Sequence, residues 1–176
     1  MDSAQMIERF FCNSCRSAAL VLALSAVMPG IASADVVFAP ENCPEQTRFD
    51  VEPQVRTRQM GSFTMLIAED IQPGIAYRTI CITGPEQTPT EEIARQVVGI
   101  TAGSKVLSFD IKQQDADRIV AEARVGTEQD GVAAEAIYEQ VITKGSIILR
   151  GAVYTPATDE NRRRTRAFIA RQAPRP

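Results

Sequence analysis

Two dipeptides do most to limit what this chain can fold into. Asp130-Gly131 and Lys144-Gly145 are turn signals set between three stretches that read as strands: Arg118–Val125, Ala133–Thr143 and Ser146–Thr155. Three strands joined by two short turns make an antiparallel meander. The first stretch is ambiguous by itself. Ala116, Ile119, Val120 and Ala123 would share a helix face, whereas Ile119, Ala121, Ala123 and Val125 would share a strand face. The turn that follows it favours the strand. Gly151, inside the last strand, points to a bulge or a close approach of backbone.

Upstream, Ser62–Ala68 and Ile75–Thr83 read as strands that could pair across a Pro73-Gly74 turn, and Gly84-Pro85 ends the second. Thr88-Pro89-Thr90-Glu91 has the form of a capping box with proline at the first helical position. It predicts a helix over Pro89–Ala102 that buries Ile93, Val97 and Ile100 and stops at Gly103. Val106–Lys112 alternates, with Leu107, Phe109 and Ile111 on one side. Thr158 is a candidate N-cap for a terminal helix, with Asp159 and Glu160 in its first turn and Thr165, Phe168 and Ile169 buried. Residues 173–176 read as a frayed tail, and Asp35–Gln59, with Pro40, Pro44 and Pro53, as an irregular lead-in. The fold class is therefore α+β. It has a mostly antiparallel sheet of two N-terminal strands, one strand after the first helix and then the meander, with two helices packed on it. A single domain over 61–172 is expected.

The first 34 residues read as a secretory signal peptide. Arg9 and Arg16 precede an eleven-residue apolar run, Ala18–Met28; Pro29-Gly30 breaks it, and Ala32-Ser33-Ala34 offers small side chains for cleavage after Ala34. The run is too short for a membrane span, which needs about twenty residues, so no transmembrane segment is expected after cleavage. The Cys12-Asn13-Ser14-Cys15 motif lies upstream of that run, where a redox-active C-x-x-C has no strand or helix to hold it. No cysteine stands at a lipid-attachment position. A periplasmic or secreted protein is expected. The absence of an N-x-Ser/Thr acceptor from residue 35 onward favours a bacterial origin.

Cys43 and Cys81 are the two cysteines of the exported part. In an oxidising compartment they predict one disulfide. The chain has no histidine, which removes histidine triads, histidine general bases and the common histidine-containing zinc sites. Asp115-Ala116-Asp117 opens like a calcium loop but lacks the later ligands, and Glu91-Glu92 is explained by helix capping. Ser104 and Lys105 are adjacent and would face opposite ways on a strand. Tyr77, Tyr138 and Tyr154 fit the edges of a core. No catalytic, cofactor or metal residues are expected.

Charge is uneven. Residues 35–161 carry −9, and residues 162–176 carry +6 with no acid. Arg162, Arg163, Arg164, Arg166 and Arg171 are therefore candidate anion or partner contacts, toward an envelope protein or an anionic membrane surface. Equally, bases late in a helix complement its dipole, or pair with the chain's own acids. An acidic exported chain without a basic aromatic platform is not expected to bind nucleic acid.

The order of SFTMLIA, YRTICIT, the helix of TPTEEIARQVV, the Gly131–Ala134 turn and the closing SIILRGAVYTPATDENRRRTRAFIARQ resembles the PsbP/DcrB type of small exported α+β domain. The resemblance spans about Gly61–Gln172. It implies a non-enzymatic accessory protein that packs on a larger membrane-associated complex, and it carries no catalytic residues. The chain departs from DcrB in lacking a lipid-attachment motif. The expectation is an exported, non-catalytic accessory or binding protein of a bacterial envelope. A small-ligand or lipid carrier and a carboxylate-based hydrolase are the alternatives.

Overall fold

The computed structural model describes residues 35–43, 45–102, 105–129 and 132–172. The signal-like segment, Gly103-Ser104, Asp130-Gly131 and the tail 173–176 lie outside them. The elements run β1 (Val36–Phe38), β2 (Thr47–Phe49), β3 (Gln54–Met60), β4 (Phe63–Gln72), β5 (Ile75–Thr83), α1 (Glu91–Ala102), β6 (Lys105–Gln114), β7 (Arg118–Gln129), β8 (Val132–Thr143), β9 (Ser146–Tyr154) and α2 (Asp159–Ala170). Seven strands form one antiparallel sheet in the order β3-β4-β5-β9-β8-β7-β6, and β1 and β2 form a separate pair. Over the described residues the protein is α+β with two helices, as the sequence suggests, but its strand order differs from the expected one. Two meanders, β3-β4-β5 and β6-β7-β8-β9, meet through β5 and β9.

The registers sort every strand residue onto one of two faces. On the first face a row runs Ile67, Ile80, Leu149, Gln140, Ala121, Ile111 across six strands. Ala94, Val97 and Val98 of α1 join the cluster on this face, with Ile119, Ala123 and Tyr138. On the second face α2 inserts Phe168 between Tyr77, with ring centroids 5.0 Å apart, and Phe49 of β2 at 5.6 Å. The two helices thus cover opposite faces, giving three layers.

The lead-in is not irregular: it contributes β1, β2 and β3. Pro40 falls between β1 and β2 and Pro53 just before β3, so neither proline interrupts a ladder. The edge of β2 away from β1 is paired at its middle residue by a side chain. The Gln172 carboxamide accepts from the Arg48 N–H at 2.7 Å and donates to the Arg48 carbonyl at 3.1 Å. The Cys43–Cys81 disulfide, Cα atoms 6.2 Å apart, ties the same segment to β5.

Two local expectations are corrected, and an alternative left open at Gly151 is decided. The helix α1 starts later than Pro89. Thr90 is its cap, with its hydroxyl accepting from the Ile93 N–H at 3.2 Å and its carbonyl from the Ala94 N–H at 3.1 Å. Glu91 therefore pairs with Arg95 one turn on (2.7 Å) instead of returning to Thr88. Its buried residues are Ala94, Val97 and Val98, with Ile93 half-buried, whereas the side chain of Ile100 lies outside the described residues. Leu107 does not share a face with Phe109 and Ile111. A bulge between Val106 and Ser108 adds a residue to β6, and Leu107 lies over Gly126 on the second face. Gly151 marks close packing, not a bulge: the β8–β9 register is unbroken, and a Cβ there would collide with the Ile137 carbonyl.

Two stability outcomes follow from these contacts. Gly151→Ala should cost about 2 kcal/mol, because backbone on β8 must move. Its denaturation midpoint checks this, and an unchanged midpoint would contradict the packing. Replacing Cys43 and Cys81 together by alanine should cost about 4 kcal/mol for a loop of this length in the chain-entropy model. Reduced and oxidised wild type should differ by a similar amount in urea.

Candidate functional site

The buried charges of this fold lie mostly on the second face. At its centre Arg150 of β9 is 3% exposed and donates to Glu45 and to Glu139 of β8, each at 2.6 Å. Glu45 comes from the disulfide-tied segment and also accepts from Arg118 of β7 at 2.7 Å. Disulfide and ion pairs therefore secure one stretch of chain to three strands. Nearer α2, Glu135 of β8 is almost fully buried and lies 2.6 Å from Arg162 and 2.7 Å from Arg124. Burial pushes the Glu135 carboxyl upward. The Arg162 hydrogen bond and the charges of Arg124 and Arg162 outweigh it and hold the group below its ordinary value. Tyr154 beside it is pushed up to about 12, by burial first and then by the Glu135 charge. The hydrogen bonds to Glu135 and Asp159 raise the Arg162 pKa further.

The five arginines singled out by charge all lie on α2 or at its C-terminal end, and each has a partner within the chain. Arg162 holds Glu135 and Asp159. Arg163 pairs with Glu160, and Arg166 with Glu122 at 3.3 Å. Arg171 pairs with Asp50 and stands over the Phe168 ring. Arg164 donates to Gln72 at 2.9 Å and stands 6.0 Å from the Tyr77 ring centroid. Three of these arginines, Arg162, Arg166 and Arg171, are thus answered by acids distant in sequence, and Arg163 by one three residues back. Arg163 and Arg166 still keep 71% and 61% of their side chains in water, so they can meet a further anion at little structural cost.

The other motifs have structural roles. Glu92 accepts from Gln96 one turn along α1. Asp115 closes the β6–β7 turn, its carboxylate accepting from the Asp117 N–H at 3.2 Å, and Asp117 pairs with Lys144 at 3.0 Å. All three tyrosines are buried on strands. Ser104 lies outside the described residues. Among the described residues no group of three or more His, Cys, Asp or Glu could hold a metal ion. No helix among them is long and apolar enough to cross a membrane.

A different feature was not anticipated from the sequence. An open groove of about 530 Å³ lies beside the disulfide, lined by Glu41, Asn42, Cys43, Ser62, Thr64, Thr83, Gly84, Gly145 and Ser146. Thr64, Thr83 and Ser146 are direct cross-strand neighbours on β4, β5 and β9. Each is a polar residue near the end of an apolar strand, which is visible in sequence; their common row is not. Compared with protein-family models, with curated proteins and with solved structures, the chain matches none.

The Glu135 cluster makes a signed pH prediction. A carboxyl whose pKa is lowered on folding adds stability that is fully present above its unfolded pKa and is lost as pH falls through its folded pKa. Glu135→Gln should therefore cost about 3 kcal/mol at pH 7. The gap from wild type should close as pH drops below the ordinary value of 4.5. Urea midpoints of both proteins across that range measure it, and a gap that is constant with pH would contradict the assignment.

Proposed function

We propose that the chain is an exported, non-catalytic accessory or binding protein of a bacterial envelope, released by cleavage after Ala34. It would be of the PsbP/DcrB type that its order of elements resembles. One observation carries the non-catalytic part. Among the described residues, the glutamates that are buried or half-buried on the sheet, Glu69, Glu122, Glu135 and Glu139, together with Glu45 above it, are engaged by arginine, and the buried Asp70 accepts from Gln72. A carboxylate hydrolase needs two acids across a cleft, one of them kept protonated by a raised pKa. Here the most enclosed cluster moves Glu135 the other way. These carboxylates behave as structural ions.

The disulfide supports export, because such bonds persist in oxidising compartments. The exposed side of α2 supports contact with an acidic partner. Arg163 and Arg166 are the residues to test, because Arg162 is tied into the Glu135 cluster. The experiment is cross-linking in the native host, with identification of captured species and the intact mass of the bait. The expected result is a bait lacking residues 1–34, with its disulfide formed, joined to a stoichiometric envelope partner. Arg163→Glu with Arg166→Glu should weaken that capture without unfolding the protein. A bait that keeps residues 1–34, or a capture that is indifferent to both substitutions and to salt, would overturn the reading.

A further inference from the structure

The groove beside the disulfide has a floor, a wall and a consistent chemistry. Its floor is a cross-strand row on the second face, Thr64, Thr83, Ser146, which belongs to three adjacent strands. Neighbouring strands lie about 4.8 Å apart, so the hydroxyls of Thr64, Thr83 and Ser146 stand at regular steps along it. Two of them are oriented by neighbours in line with the row: Ser146 by Thr143, oxygen to oxygen 2.8 Å, and Thr64 by donation to Gln59 at 3.1 Å. The next row inward is apolar, with Leu66, Cys81, Ile148 and Val141. The disulfide rises from this inner row at Cys81.

The wall is the turn Glu41-Asn42-Cys43, fixed by the disulfide and by the Cys43 N–H bond to the Pro40 carbonyl at 3.0 Å. Ser62 closes one end, and the Gly84 and Gly145 loops, linked N–H to carbonyl at 3.3 Å, close the other. At about 530 Å³ the space falls in the range of small-ligand sites.

The lining decides the ligand class. It holds four hydroxyls, one carboxamide and one carboxylate, with no lysine or arginine. An anion would meet Glu41 and no cation. An acyl chain would meet no large aliphatic or aromatic side chain. Hydroxyls both donate and accept, the amide does each at separate atoms, and the carboxylate accepts. That set complements a neutral molecule covered in hydroxyls. We infer that the groove is a saccharide-binding site, with Thr83 contacting sugar hydroxyls from the floor and Asn42 from the wall. The inference names a ligand class for the binding protein proposed above and rests on that reading. The two fail separately, since export and partner capture do not depend on the groove.

The test is a titration of the exported, disulfide-intact protein followed by backbone amide resonances. The probes are chitotetraose and cellotetraose, with inorganic phosphate and a tetra-alanine peptide as controls. At least one sugar should give saturable shifts centred on Ser62, Thr64, Thr83, Gly84, Gly145 and Ser146. Thr83→Val removes a hydroxyl at constant shape, and Asn42→Ala removes the amide. Each should weaken binding about fivefold, the weight of one net hydrogen bond, while distant resonances stay in place and report an intact fold. Absence of saturation with both sugars would overturn the inference. So would sugar binding that is unchanged in both variants, or saturation by phosphate or by the peptide instead.

Discussion

The pairing of β5 with β9 joins two local meanders into one sheet, and the rest of the structure depends on its register. Nine residue pairs run from Ile75 opposite Tyr154 to Thr83 opposite Ser146. With that register, Ile80 and Leu149 face α1, while Tyr77 and Ala152 face α2. A slip by one residue would exchange the two faces of β9 relative to β5. Arg150 would then leave its acids and enter the apolar layer under α1. Ile147 and Leu149 on one side and Ile148 and Ala152 on the other would only trade apolar layers, so the buried Arg150 is what makes that exchange costly and specifies the register. Gly151 adds a steric condition at one point of the adjoining ladder, where β8 leaves no room for a Cβ.

The two faces handle polar groups differently. On the second face, charge is buried with its partners. Arg150 has two carboxylates, and Glu135 has two guanidinium groups. Such clusters add little net stability over apolar packing, but removing one member strands the others. They therefore act mainly on geometry, aligning the β1–β2 segment and α2 over the sheet. On the first face, Glu69 lies between Arg56 and Arg78 near the sheet edge. Deeper in, Gln140 is fully buried and neither end of its amide has a protein partner. An amide left in that state costs free energy. The apolar row around it supplies the compensating burial, from Ile80 and Leu149 on one side to Ala121 on the other.

Much of the architecture was legible because strands and helices have short sequence periods. The limits Ile75–Thr83 of β5, the Thr158 cap of α2 and the Cys43–Cys81 pair could all be read directly. What could not be read was long-range register. A bulge is invisible to a period-two pattern, so Leu107 seemed to belong with Phe109 and Ile111. β1 and β2 are three residues each, too short for any period to register. Their stability comes from Gln172, Phe168 and Cys81, distant in sequence. The arginine tail was visible as a charge excess. Its partners Glu122, Glu135 and Asp50 were visible only as acids elsewhere. The hydroxyl groove needed three strand registers at once.

Open sheet edges pose a separate constraint, because β3 and β6 each present unpaired backbone. The chain answers differently at each. β6 carries two register shifts and the charges Lys105, Asp110 and Lys112, so it offers no long flat edge. β3 is regular over its seven residues but sets Arg56 and Arg58 on one face. These long charged side chains break up the flat apolar strand that edge-to-edge association would need. Charge on this protein is thus spent largely on itself: at the edges against aggregation, in the core on alignment, along α2 against its own acids. The groove beside the disulfide holds none of these arginines. Selectivity there must come from the placement of hydroxyl and amide groups, which the antiparallel register fixes strand by strand.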